Sequence, residues 1–427
     1  MTFTISGLAQ LKGSTTIGRN PYALGSFSPK LVLDFSTGTY ADNAGNTTLS
    51  SITTFSRASS ATYVDASGVL QTASSGTIRD AHHEWNGSSW VRKGLLLETD
   101  AATNFLPYSE DFTEWFINDA TYSGGVLTAV TNNARIYENV TFGSAGNHVF
   151  WVDLKAGTGT VACIRIISYD TNYTCYFDLS TGTVGTDAGG VGSIFEVGDG
   201  IYRCVVTFNS TDVSGVLFVN VCDADGSLNV TTGKTMNMYR AQAEDGDFPS
   251  SYISTSGATA TRAGETLSVN AAGVPWSTTA MSWVFEGEAS WTDNGGVATT
   301  LFGRFASGAW WTFFIQTLGS RTGEVYAQVT NAGTTETAEA GPNTAPGYRN
   351  TIRAGYRMTT TDLQAVDSGT SGVNQTAVGG TLYDAAANSQ VLNIGSDGQN
   401  TLYNGTISRL RMWDADVTAA NLETGTT

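Results

Sequence analysis

The chain has 427 residues, with 21 Lys and Arg against 38 Asp and Glu, a formal net charge of −17. That balance argues against nucleic acid as a partner, because phosphate binding needs clustered cations. Hydrophobic residues at 41% and aromatics at 11% exclude a disordered chain, while 49 Gly and only 14% charged residues fit an all-β protein with many turns.

The N-terminal stretch MTFTISGLAQLKGSTTIGRN has no apolar segment behind a basic start, so it does not read as a secretory signal. No apolar run approaches the roughly 18 residues of a membrane helix. The chain is therefore expected to fold in the cytosol, with no membrane insertion. Residues 1–30, with Pro21 and Pro29 near their end, read as an extended arm. Such an arm orders only when something covers it.

Residues 31–104 read as a hairpin-rich connector. KLVLDF sets Leu31, Leu33 and Phe35 against Val32 and Asp34, a period of two. HHEWNGSSWVRKGLLLE turns at Asn86-Gly87, a pair that tolerates the positive φ of a tight hairpin. Residues 105–256 read as a β-sandwich or barrel, with turn signals about every ten residues. HVFWVDLKAG places Phe150, Val152 and Leu154 on one face and Trp151, Asp153 and Lys155 on the other. Cys163, Cys175, Cys204 and Cys222 all fall here, at spacings that match no zinc site, and are expected as buried free thiols. Residues 264–427 repeat the style in strand-like segments from AMSWVFEGEASW to GTISRLRMWDADVT, with TLYDA among them. One short helix is predicted near the end, capped by Asp416 or Thr418. The architecture expected is two β-sandwich domains in tandem.

Two bland stretches echo each other. TFSRASSATYVDASG and SGATATRAGETL both carry Arg-Ala after a hydroxyl residue, at Arg57 and Arg262. A guanidinium is a multi-donor clamp, and small neighbours let backbones pass closely. Arg57 and Arg262 are therefore candidates to tie strands across a joint to carbonyls or a carboxylate.

These segments, with KGLLLETDAATNFLPYSEDF, YFDLSTGTVGT, GDGIYRC, DADGS and AQAEDGDFPSSYISTSG, resemble a module recurrent in fibre, spike and minor structural proteins of tailed-phage and gene-transfer-agent virions. Residues 105–256 resemble a carbohydrate-binding-module jelly roll. YNGTISRLRMWDADVTAANLE is similar to the end of a concanavalin A-like (laminin-G-like) lectin domain. Where the module has Trp before Tyr-Arg-Cys, this chain has Ile201. The resemblance implies a virion protein whose residues 1–30 attach to other virion proteins, whose sandwiches touch host-surface polysaccharide, and which assembles as a homo-oligomer, most simply a trimer. Two alternatives stay open: a purely structural decoration protein, and a polysaccharide depolymerase.

Catalysis has little support in the residues. His82 and His83 are adjacent, and neighbours on a strand face opposite ways, so one metal does not take both. His148 stands alone. Glu286 and Glu288 share a strand face about 6–7 Å apart, a spacing a glycosidase could use, but a solvated face accounts for it equally. Sugar binding needs rings for C–H faces and polar groups for hydroxyls. The candidates are Trp310, Trp311, Tyr403, Asn404 and Asp397 in the last domain, with Trp115 and Tyr122 in the middle one. No cofactor is expected beyond a structural calcium ion, which the resemblance allows, with Glu110, Asp111 and Glu244 as its candidate ligands.

Overall fold

The computed structural model describes residues 20–168, 171–293, 298–306, 309–317, 321–331, 334–372, 375–376, 391–398 and 403–427. The arm's residues 1–19 and the TLYDA segment lie outside them. The protein is nearly all β, with antiparallel sheets arranged as two sandwiches. The short helix near the end forms over Ala419–Gly425 with Thr418 as N-cap, while Asp416 is taken by Arg357 at 2.7 Å.

The middle sandwich has two six-stranded sheets. One runs Ala120–Ser123, Val126–Ala129, Thr235–Asp245, Gly146–Ala156, Tyr202–Ser210, Val191–Glu196; the other runs Thr183–Ala188, Asn172–Asp178, Val161–Ser168, Ser214–Cys222, Arg135–Thr141, Phe116–Asn118. Period-two alternation drives Phe150, Val152, Leu154, Ile164, Phe177 and Val219 into the core between them. All four cysteines are buried free thiols.

The other sandwich is assembled from both ends of the chain. One sheet contains, in order, Thr39–Ala41, Leu31–Asp34, Asn404–Trp413, Ala280–Trp291, Gly347–Thr359, Asp362–Asp367 and Thr370–Ser371. The facing sheet runs from Thr334–Ala340 through Val325–Asn331, Ala309–Ile315, Thr299–Ala306, Leu392–Ile394 and Thr266–Val269 to Thr53–Ser56. This corrects the expected connector. Leu31–Asp34 and Trp90–Glu98 lie end to end along one edge of Asn404–Trp413, with Leu33 opposite Leu410 and Leu96 opposite Thr406. Thr53–Ser56 pairs with Thr266–Val269. The physical reason is burial: Leu31, Leu33, Leu95 and Leu97 find no core within the hairpins and enter the one around Trp283, Phe302, Phe313 and Tyr356. Residues 105–256 are thus inserted into a sandwich whose strands precede and follow them.

The arm is corrected in its second part. Leu24 packs with Trp413, Val417 and Leu422, and Trp413 Nε1 donates to the Phe27 carbonyl at 3.2 Å. Residues 20–30 therefore dock on their own chain.

Candidate functional site

The inserted sandwich leaves and rejoins its host through two strands that pair with each other, Ala102–Asn104 and Ala260–Arg262. Behind them lies a buried ionic cluster. Glu265 accepts from Arg57 Nη1 at 2.7 Å and from Arg79 Nε and Nη2 at 3.0 and 2.7 Å. Glu98 accepts from Arg79 Nη2 at 2.8 Å and from the Ser251 N–H at 2.7 Å, with Arg262 Nε 3.2 Å away. Arg57 also donates to the Ser59, Ala73 and Ser74 carbonyls, and Arg262 to those of Glu98, Asp100 and Ala263. A Cβ on Gly264 would stand 2.3 Å from the Thr99 carbonyl oxygen, so the backbones here approach too closely for a side chain. Burial alone would raise the Glu98 pKa, but Arg262, Arg79 and the Ser251 hydrogen bonds outweigh it and hold it at about 2. Glu98, Glu265 and Arg79 carry no separate signal in the sequence; Glu265 stands inside the second echoing segment, in TRAGE, and Glu98 in the LLLETD stretch.

One outer face of the inserted sandwich is covered. Val149, Trp151, Val205 and Tyr252 pack under Leu70 of the Ala61–Val64/Leu70–Ala73 hairpin, and Phe195 stacks on Tyr348 of the other sandwich at 5.3 Å. A cavity of about 380 Å³ opens where the Asn86-Gly87 hairpin, the inserted sandwich and its host meet. Trp85 and Trp90, 5.5 Å apart, stand on its hairpin side. Lys93 Nζ bonds Glu288 at 2.6 Å, Arg349 pairs with Glu84, and Arg203 grips Asp153 at 2.8 and 3.0 Å while lying 3.6 Å over the Trp151 ring. His82 Nδ1 accepts from the Val64 N–H, and burial, with Arg349 and Arg79 nearby, drives its pKa well below the usual value, so it is neutral.

The opposite outer face is open. On the sheet containing Arg135–Thr141, one register row sets Phe116 beside Tyr137, Tyr137 beside Phe218, Phe218 beside Arg165, and Arg165 beside Thr174. The rings form a ladder, Phe116 to Tyr137 at 5.2 Å and Tyr137 to Phe218 at 5.0 Å, with the Arg165 guanidinium 5.4 Å from the Phe218 centroid. Phe116 is 51% exposed and the other members are half-buried. Asn139 and Asn172 are exposed on the same face. At its far end, Cys163, Cys222 and Tyr176 are roofed by Leu228. The row gives apolar ring surface beside donors and acceptors, the two things a sugar ring needs. Its signal in the sequence was an aromatic at the outward parity, as in RIYENV, where Tyr137 alternates with buried Ile136 and Glu138.

Most of the residues expected to bind glycan stand elsewhere. Trp311 (1% exposed) and Tyr403 (0%) lie in the host core, and Trp115 (3%) lies in the inserted core against Phe112. Their rings are consumed by packing, so they are corrected to structural residues. Asp397 is buried and accepts from Thr312 at 2.9 Å. Tyr122 is half-buried with its ring against Phe112. Trp310 is half-buried, and Asn404 lines a second cavity of about 330 Å³. The structure does not gather these seven into one site.

The calcium set is also corrected. Glu244 is enclosed, its carboxylate bonded by Gln242 and Ser250, while Glu110 and Asp111 are exposed beside the turn Phe112–Glu114. Among the described residues no group of three or more His, Cys, Asp or Glu is placed to hold a metal ion. His82 bonds Glu84 and His83 bonds the Ala81 carbonyl, and His148 is buried against Phe142. Glu286 is held by Arg409 and Arg411, at 3.3 and 2.9 Å, and Glu288 by Lys93, so the two carboxylates answer to different cations.

No family model matches the chain, and no curated protein matches it. Among solved structures it is similar to the CBM40 of the Ruminococcus gnavus IT-sialidase, at 12% identity and a TM-score of 0.29, over 35% of this chain and 84% of that one. The same module bound to alpha2,6 sialyllactose gives 12% and 0.30, over 35% and 85%. Domain 4 of AbnA, a GH43 extracellular arabinanase from Geobacillus stearothermophilus in complex with arabinotriose, gives 10% and 0.31, over 43% and 84%.

Proposed function

We propose that this chain is a non-enzymatic virion structural protein, a fibre or spike subunit, that attaches to host cell-surface glycans. The observation that supports the glycan reading is the open row Phe116, Tyr137, Phe218 and Arg165 on the inserted sandwich. The virion reading rests on the resemblance of the sequence segments quoted above. A flat row of rings binds a single sugar weakly, and display in a trimer raises its avidity without any new contact. We assign no hydrolytic step to Glu286 and Glu288, because Arg409 and Arg411 engage the first and Lys93 the second.

The test is binding of the purified chain to host cells with and without their capsule or lipopolysaccharide. Glycan-dependent binding that is weakened in Tyr137→Ala and Phe218→Ala, with the fold intact, supports the reading. Equal or absent binding on both cell types supports the decoration protein, which the burial of Trp311 favours.

A further inference from the structure

We propose that the cavity where hairpin, inserted sandwich and host sandwich meet is a second saccharide site, sized for one or two neutral pyranose units. The inference deepens the glycan reading and rests on it for the class of ligand, but it concerns a different place. The open row belongs to the inserted sandwich alone. The cavity exists only in the complete chain, because Trp85 and Lys93, Arg203 and Phe195, and Tyr348 and Glu288 come from its three different walls.

Size gives the first argument. About 380 Å³ lies at the small end of ligand pockets, room for one or two sugar rings rather than a polymer. Charge gives the second. The cations at its walls are already matched: Lys93 to Glu288, Arg349 to Glu84, Arg203 to Asp153. Arg240 approaches the same Asp153 at 3.4 Å, and Glu196 is a further acid on that side. A free anion or cation entering here would compete with these pairs for the same charges. A polyol does not, since each hydroxyl both donates and accepts and can bridge a carboxylate and an ammonium or guanidinium that stay paired.

The third argument is the aromatic share of the lining. Trp85 and Trp90 on one side and the stacked Phe195 and Tyr348 on the other supply apolar faces for sugar C–H groups.

The experiment is saturation-transfer NMR on the full chain with methyl glycosides of glucose, galactose and N-acetylglucosamine. Glucuronate and inorganic sulfate serve as anionic probes. The expected result, read in a Tyr137→Ala background that weakens the open row, is binding of at least one neutral glycoside in the millimolar range, reduced about fivefold or more when Trp85→Phe or Glu288→Gln is added. Trp85→Phe keeps an aromatic ring but shortens the stacking face and removes the indole donor. Should either variant lower the thermal midpoint, Tyr348→Phe, which keeps the stack on Phe195, takes its place. Three outcomes overturn the site: no neutral glycoside binds, only the anions bind, or binding is untouched by the cavity variants. If cell binding falls in Tyr137→Ala while the cavity fails these tests, the cavity is wrong and the attachment reading stands. If the cavity binds glycoside while cell binding is indifferent to glycan, the attachment reading is wrong and the cavity stands.

Discussion

Arg79 and Glu265 meet as a two-point pair, Nε to Oε1 at 3.0 Å and Nη2 to Oε2 at 2.7 Å, although 186 residues separate them. Arg79 belongs to the segment before the insertion and Glu265 to the segment after it. The same guanidinium also reaches Glu98, the Thr62 carbonyl and Ser251. The pair therefore ties together the two host segments that flank the insertion, and the Ser251 contact reaches the insertion itself.

Removing one partner leaves buried charge behind. Glu265→Gln is expected to lower the unfolding free energy by about 3–5 kcal/mol, as for other broken buried pairs. Urea titration followed by tryptophan emission measures it. A loss within about 0.5 kcal/mol, the range of ordinary surface substitutions, would mean that the cluster does not hold the joint.

Acid should act at the same place. Glu98 is depressed from 4.5 to about 2, so its stabilising contribution is complete above 4.5 and is lost as pH falls towards 2. His82 is depressed from 6.5, so its contribution is complete above 6.5 and declines below it. Both make the fold weaker in acid. Glu244 is raised by burial and runs the other way, weakening the fold as pH climbs through its pKa. The urea midpoint is expected to fall steadily from pH 7 to pH 3. A midpoint that rises over that range would contradict these signs.

Trp90 is seated between the turns at Gly68 and Gly198. Gly68 has φ +79°, and a Cβ there would lie 2.3 Å from the Trp90 indole. Gly68→Ala meets both the backbone penalty and the clash, so a loss of about 2–4 kcal/mol is expected. The emission spectrum should shift as the indole leaves its seat. An unchanged spectrum and thermal midpoint would show that the hairpin yields freely.

The open row and the buried rings should separate cleanly. Tyr137→Ala is expected to weaken glycan-dependent cell binding roughly three- to tenfold while leaving the thermal midpoint nearly unchanged, from the ~0.5–1.5 kcal/mol of a ring contact. Trp311→Ala should instead cost about 3–5 kcal/mol by opening the host core. Calorimetry on both variants beside the cell assay decides it. Weaker binding in Trp311→Ala with full stability would reverse the two roles.

The sequence by itself determined the all-β class, the turn at Asn86-Gly87, the strand faces of HVFWVDLKAG and the short helix after Thr418. These follow from period-two patterning and local turn and capping chemistry, which act over a few residues. It also marked Arg57 and Arg262, because an arginine among small residues has no local reason to be there. Only the tertiary structure decided that Leu31–Asp34 and Trp90–Glu98 share an edge of Asn404–Trp413, and that Arg79 joins Glu98 to Glu265. Only it decided which rings face solvent: Trp311 and Tyr403 went inside, Phe116 and Tyr137 stayed at the surface. Alternation tells which side chains share a face of a strand. Which face another layer then covers is settled by pairings between residues far apart in the chain, and no local pattern records those.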